Sequence, residues 1–224
     1  MNELLFFLQA ILVAGIVLGA LVLGEEALVA CISLLFVLAN LFVTKQIMLF
    51  GFYVTSADVY IIGAVLGFNL LQEYFGREIA RKAIWISFFI SLVVLVLSQI
   101  HLSYLPNMYD TTQDSFVTIM GLLPRIVCAS LVAHVGAQYV RLFFYGVLKR
   151  VCEDRYFLAR NLVVTVTEQL VDTVIFGFVG LYGVVHAVTD VFVVSFTIKV
   201  VVIFCAVPWV LLAKKLVKRD FYGV

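Results

Sequence analysis

Long apolar runs follow one another along the whole chain, separated by short polar breaks. A helix of about 20 residues is needed to cross the ~30 Å hydrocarbon core of a bilayer. The runs do not alternate polar and apolar residues, as the strands of a transmembrane β-barrel would. The pattern therefore predicts an all-α, polytopic membrane helical bundle with seven spans, at about 4–23, 27–44, 57–74, 83–104, 119–148, 160–184 and 187–213.

Composition supports the same class of protein. Hydrophobic residues make up 64% of the 224 residues and charged residues 13%, against about 45–50% and about 25% in soluble domains. The four cysteines lie far apart and predict neither a disulfide framework nor a metal site. The sequence has no phosphate-binding loop, dinucleotide turn or serine-nucleophile motif. We therefore expect no catalytic residues, no metal and no cofactor, and we do not predict an enzyme.

Lysine and arginine residues are distributed unevenly between the polar breaks. Segments 77–82, 149–160 and 214–219 carry eleven of the fifteen, whereas 105–118 and 185–189 carry none. Short loops rich in Lys and Arg stay on the cytoplasmic side of a membrane. The distribution predicts a multi-pass inner (plasma) membrane protein with a cytoplasmic C-terminus and, with seven spans, an external N-terminus.

Two of the apolar runs carry a polar ridge. In the sixth run, Glu168, Gln169 and Asp172 lie on adjoining parts of one helix face. Asn69 and Glu73 of the third run are four residues apart and also share a face. Polar residues can simply hydrogen-bond neighbouring membrane helices. An acid at bilayer depth, however, costs about 2.5–3.5 kcal/mol on insertion scales, and such residues usually mark a site. We therefore predict that these side chains face a substrate.

Four basic residues remain in or beside the spans: Lys45, Arg125, Arg141 and Lys199. Unpaired charge is poorly tolerated in lipid, so internal pairing with acids is expected. Glu168 and Asp172 are one helical turn apart and resist joint ionisation. One of them should therefore be protonated or matched to a cation, for which Arg125 and Lys199 are the candidates. Arg141 lies nearer the cytoplasmic end and is expected to extend toward that interface.

Five stretches, taken in order, carry a family resemblance. They are Asn40 with Lys45, "LLQEYFGREIARKAIW" at 70–85, "LPRIVCASLVAHVGAQ" at 123–138, "ARNLVVTVTEQLVDTVIF" at 159–176, and Lys199 with Pro208. Together they resemble the queuosine precursor transporter family, also called the vitamin uptake transporter family, over about 27–213. Asn69 and Arg141 stand where that family usually has Asp, and Glu168 where it more often has a small polar residue. These departures leave the identity of the substrate open.

The resemblance implies both an architecture and an activity. The architecture is a six-helix transporter core over 27–213, similar to the substrate-binding subunits of energy-coupling-factor vitamin importers. Residues 1–26 would add an extra N-terminal transmembrane helix, and 214–224 a basic cytoplasmic tail. The implied activity is that of an alternating-access carrier, which imports a queuosine precursor, a 7-deazaguanine base or queuine, across the inner membrane. The imported base is used for tRNA modification.

The polar residues suit such a ligand. A guanine-like edge has an N1–H and a 2-amino group that one carboxylate can accept together, and a carbonyl that takes an amide or cationic donor. We assign direct contact to Asp172, which matches the family pattern, and a tuning role to Glu168. The predicted substrate-binding residues are Asn69, Glu73, Arg125, Gln138, Glu168, Gln169 and Asp172. Asn40, Lys45 and Lys199 are predicted as structural or gating groups.

The expected partners are a purine-like small molecule and membrane lipid, with no nucleic acid. A homodimer, the exact base and the energy coupling are left open by the sequence. Two other functions stand beside the carrier: the substrate-binding subunit of a multi-component vitamin importer, and an integral-membrane enzyme. Uptake by a host that expresses this chain alone distinguishes the carrier from both.

Overall fold

The computed structural model describes residues 1–151 and 157–200, and these are predominantly helical. The described residues form α1 (Asn2–Leu23), α2 (Glu25–Phe42), β1 (Gln46–Leu49), β2 (Phe52–Thr55), α3 (Asp58–Tyr74), α4 (Arg77–Leu102), α5 (Gln113–Met120), α6 (Leu123–Val151), α7 (Phe157–Phe176) and α8 (188–200). A π-helical turn, Gly177–Leu181, extends α7. The prediction of an all-α membrane bundle is confirmed.

Within the described residues, five helical stretches are long and apolar enough to cross a bilayer. They are Asn2–Leu23, Glu25–Phe42, Arg77–Leu102, Gln113–Leu148 and Val163–Leu181. Helix α3 has 17 residues and is slightly shorter than a full span. The C-terminal part of the seventh predicted span, 201–213, and the basic tail, 214–224, lie outside the described residues. The number of seven spans therefore stays a prediction.

The fifth predicted span, 119–148, falls within the apolar stretch Gln113–Leu148, but it is not one continuous helix. The structure divides it into α5 and α6 at Gly121 and Leu122. The break has a local cause, because Pro124 has no backbone N–H to donate to a preceding turn. Proline is tolerated in the first turn of a helix, where this donor would be unused, so α6 begins here.

The segment after α2 forms a β-hairpin that the sequence analysis did not predict. Strands β1 and β2 pair antiparallel, with Gln46 opposite Thr55 and Leu49 opposite Phe52. The two residues of the turn, Phe50 and Gly51, have φ values of 52° and 86°. Two successive positive φ values are typical of the tight turns that suit the twist of a hairpin. Phe50 is not a glycine, so its left-handed conformation costs about 1–2 kcal/mol.

Contacts from three other segments hold the hairpin against one end of the bundle. The four hydrogen bonds are Asn2 Nδ2 to Met48 O (3.1 Å), Phe50 N to Glu3 Oε1 (3.3 Å), Tyr53 N to Asp190 Oδ2 (3.2 Å) and His186 N to Gln46 Oε1 (2.9 Å). The start of α1, the start of α8 and the segment before α8 therefore meet at this end. These interactions offset the strain at the tip of the hairpin.

Small residues allow the first three helices to pack closely. Gly63 and Gly67 of α3 are four residues apart and lie on one face. A Cβ atom at Gly63 would lie 2.2 Å from Val13 Cγ1, and one at Gly67 would lie 2.5 Å from Ile32 Cγ1. The two glycines thus bring α1 and α2 onto α3, as small-residue motifs do between membrane helices. Helices α6 and α7 pack likewise, with Gly136 against the side chain of Ile175.

Candidate functional site

Two cavities lie between the helices and share four lining residues, Phe36, Ile61, His134 and Asp172. The large cavity, about 360 Å³, extends from these residues along α3, α6 and α7 away from the hairpin. The small cavity, about 100 Å³, extends toward the hairpin, where Thr55 and Ala57 line it. Asp172 therefore borders both spaces.

Five of the seven predicted substrate-binding residues line the large cavity. They are Asn69 on α3, Gln138 on α6, and Glu168, Gln169 and Asp172 on α7. Helical periodicity placed the α7 residues on one face, and the packing of α3 and α6 against α7 brings the other two residues to the same space. The volume falls in the range of about 300–1,000 Å³ that is usual for small-molecule sites.

Arg125 and Glu73 are not among the residues that line either cavity. The Arg125 side chain donates from Nε to Val179 O at 2.9 Å and from Nη2 to Tyr182 O. These carbonyls lie at the end of the π-helical turn, where backbone acceptors lack partners within the helix. The structure thus gives Arg125 a capping role and does not bring it to the predicted site. Glu73 lies one turn beyond Asn69, at the end of α3.

Lys199 of α8 forms an ion pair with Asp172. Its Nζ lies 2.8 Å from Asp172 Oδ2 and 3.0 Å from Thr173 Oγ1. The two charged side chains are 12% and 27% exposed, respectively. The predicted match between an α7 acid and Lys199 is therefore present in the structure, and Lys199 belongs to the lining of the small cavity.

The second ion pair joins Arg141 of α6 to Glu168 of α7. Arg141 Nη1 lies 3.1 Å from Glu168 Oε2, and the Glu168 side chain is 9% exposed while that of Arg141 is 44% exposed. Arg125, predicted as a candidate cation for the α7 acids, donates instead to backbone carbonyls. The expectation that Arg141 extends toward the cytoplasmic interface was also wrong, because it pairs with Glu168 and lines the large cavity. Arg141 and Glu168 are both positions where the chain departs from the resembled family pattern. The structure shows that these two departures are partners in one ion pair.

The small cavity contains polar residues that the sequence analysis did not assign to a site. Asp58 is 7% exposed, and Ser195 Oγ donates to its Oδ2 at 2.8 Å. Ser130 Oγ donates to Asn40 Oδ1, also at 2.8 Å. Ser195 lies one turn before Lys199 on α8, so an i,i+4 search from Lys199 would have found it. The positions of Asp58 and Ser130 in this cavity could be found only from the tertiary structure.

Lys45, predicted as a structural or gating group, lies outside both cavities. Its backbone N–H donates to Phe42 O at 3.0 Å, and its carbonyl accepts from Ser56 N at 3.1 Å. These bonds close the base of the hairpin at the point where α2 ends. The side chain is exposed. Among the described residues, no group of three or more His, Cys, Asp or Glu side chains could hold a metal ion.

Comparison with known proteins assigns the chain to a family. Residues 55–213 match the family model described as "Putative vitamin uptake transporter". A relative from Bacillus subtilis (strain 168), described as "Probable queuosine precursor transporter", is 32% identical over 200 residues, which cover 88% of this chain and 87% of the relative. The chain belongs to the vitamin uptake transporter family. No solved structure matches it.

Membership of the vitamin uptake transporter family confirms the resemblance seen in the sequence. It makes the chain a multi-pass membrane transporter of a small molecule and not an enzyme. The matched region, 55–213, contains both partners of each ion pair and most of the lining of the large cavity. The cavities and ion pairs are therefore features of the transporter region itself.

Proposed function

We propose that this chain imports a queuosine precursor, a 7-deazaguanine base or queuine, across the inner membrane for tRNA modification. The observation that carries the proposal is the position of Asp172, a carboxylate inside the bundle that borders both cavities. The 32% identical relative supports the substrate class, since its description names a queuosine precursor.

Asp172 provides the acceptor that the base requires. A carboxylate can accept the N1–H and the 2-amino group of a guanine-like edge through its two oxygens. One oxygen, Oδ2, already accepts from Lys199. The ligand therefore competes with Lys199 for Asp172, and Lys199 neutralises the acid while the site is empty. Glu168, matched to Arg141, is left as a tuning residue beside the ligand.

The same position suits alternating access. Asp172, Phe36, Ile61 and His134 lie at the junction of the two cavities. A ligand held at this junction becomes accessible from one end when the large cavity opens and from the other when the small cavity and hairpin open. A single binding residue can therefore be presented to both sides of the membrane in turn.

The orientation that we propose has the C-terminus and the segment 77–82 in the cytoplasm. The hairpin, the start of α1 and the segment 105–118 are then external. Residues 1–26 form an additional membrane helix before a core of six. The basis is the distribution of Lys and Arg, eleven of fifteen of which lie in three segments on one side.

The test is uptake of labelled 7-deazaguanine bases and queuine by a host that lacks its own uptake and expresses only this chain. We expect accumulation of label, and its loss in Asp172→Asn at equal abundance in the membrane. An absence of uptake by the wild type would contradict the proposal. Uptake that needs a co-expressed ATPase pair would identify the chain instead as a substrate-binding subunit.

A further inference from the structure

We infer that Asn40 recognises the ring carbonyl of the transported base and makes the site selective for 6-oxo bases. This inference rests on the proposed function and specifies the ligand contact on the side of the small cavity. The observation behind it is that a buried amide donor and a carboxylate acceptor line the same cavity. Asn40 and Asp172 both line the small cavity.

The Asn40 side chain has an unused donor. Asn40 is 6% exposed, and its Oδ1 accepts from Ser130 Oγ at 2.8 Å, which fixes the orientation of the amide. Its Nδ2 is buried and has no hydrogen-bond partner among the described residues. Buried polar groups in native proteins are nearly always paired, so each exception requires an explanation. A ligand acceptor at this atom supplies one.

The chemistry of the base specifies which acceptor that is. In a guanine-like ring, the carbonyl oxygen is bonded to C6, which is the carbon next to N1. If Asp172 accepts the N1–H, a donor must lie beside it for the carbonyl. The neutral amide of Asn40 can donate to a ring carbonyl. A 6-amino group would instead place its own N–H against the N–H of Asn40. An unpaired buried donor is the basis of strong discrimination between such ligands.

The arrangement of the cavities allows one base to contact both groups. The small cavity, about 100 Å³, is smaller than a cavity of about 150 Å³ that holds one benzene ring, so it takes only part of a bicyclic base. Asp172 and three other residues line both this cavity and the large one, so we place the rest of the ring in that larger space. Gln138 and Gln169, the amide donors expected from the sequence, line the large cavity alone. They are therefore available to other edges of the ring.

The test compares 7-deazaguanine with its 6-thio analogue. Both bases have the N1–H and the 2-amino group, but sulfur is a weak acceptor. We expect the wild type to take up the oxo base with about tenfold preference, the effect of losing one buried hydrogen bond. In Asn40→Leu and Asn40→Ala, uptake of the oxo base should fall about tenfold and the preference should disappear. Uptake is normalised to the amount of protein in the membrane.

Thr167→Ala is the matched control, because its hydroxyl donates to Val163 O of its own helix and Thr167 lines neither cavity, so the Asn40 amide is left as it is. This variant should retain most of the preference. A wild-type preference below about twofold overturns the inference, as does an unchanged preference in either Asn40 variant that reaches the membrane. If the wild type takes up neither base, the proposed function fails and this inference fails with it. If instead the cavity simply holds water at Nδ2, the variants keep the preference of the wild type.

Discussion

The ion pair between Arg141 and Glu168 should stabilise the fold, and its two partners should respond differently to removal. Arg141→Gln leaves the Glu168 carboxylate, which is 9% exposed, without a cation. Breaking a fully buried pair in this way costs about 3–5 kcal/mol. Arg141 is 44% exposed, so solvent already screens part of the interaction. We therefore expect a loss of about 2 kcal/mol, which is below the range for fully buried pairs.

The assay is thermal unfolding of the protein purified in detergent. A loss of about 2 kcal/mol corresponds to a decrease in Tm of about 4–8 °C for a chain of this length. The double variant Arg141→Gln/Glu168→Gln should recover most of that loss, because no buried charge is left unpaired.

Arg81→Gln is the matched control. It breaks a pair whose side chains are 71% and 80% exposed and should change stability by less than about 0.5 kcal/mol. A double variant as unstable as Arg141→Gln would refute the reasoning.

Three further predictions concern the tuning acid, the topology and the packing. Glu168→Gln should change substrate preference or the pH dependence of uptake more than it lowers maximal uptake; a variant as inactive as Asp172→Asn with unchanged preference would make both acids primary ligands. Cysteine at Ser115 in a cysteine-free background should react with an impermeant reagent from outside, and cysteine at Lys82 only after permeabilisation; the reverse result would invert the orientation. Gly67→Val should lower the free energy of unfolding by about 1–3 kcal/mol through overpacking against Ile32, whereas Gly19→Ala, which has open space, should not; equal Tm values for the two variants would exclude the proposed close packing.

Hydrophobic pattern and helical periodicity were sufficient for the bundle and for one face of the site. Glu168, Gln169 and Asp172 share a helix face because of their spacing, and this face does line the large cavity. The bilayer contributes to this success, since a chain in lipid must satisfy its backbone within helices. Local sequence therefore specified where the helices lie and which face of α7 is polar.

Which arginine of α6 pairs with Glu168 depends on tertiary packing. Arg125 and Arg141 are 16 residues apart on α6, which at 3.6 residues per turn separates their directions by about 160°. The rotation of α6 decides which direction meets Glu168, while Arg125 bonds the π-helical turn that extends α7. That rotation depends on contacts such as Gly136 against Ile175, which the sequence of α6 alone does not specify. Arg125 and Lys199 were the cations predicted for the α7 acids, and the packing places Arg141 beside Glu168.

The hairpin was missed for a related reason. Its turn residues are Phe50 and Gly51, whereas the usual signal for such a turn is Asn-Gly or Asp-Gly. A two-stranded hairpin is marginally stable by itself. Here it is held by distant residues, among them Asn2, Glu3 and Asp190. No pattern within 46–55 indicates those contacts.

The most direct test of the carrier function is exchange of labelled 7-deazaguanine across the membrane of proteoliposomes. These contain this purified protein alone and are preloaded with unlabelled base. Exchange requires alternating access but no energy source, so it does not depend on how uptake is driven. We expect the wild type and the control Thr167→Ala, whose hydroxyl bonds its own helix at Val163 O, to exchange label. Asp172→Asn should lose about ten- to a hundredfold, the effect of one charge-assisted contact. No exchange by the wild type, or undiminished exchange by Asp172→Asn, would contradict the carrier function with Asp172 at its centre.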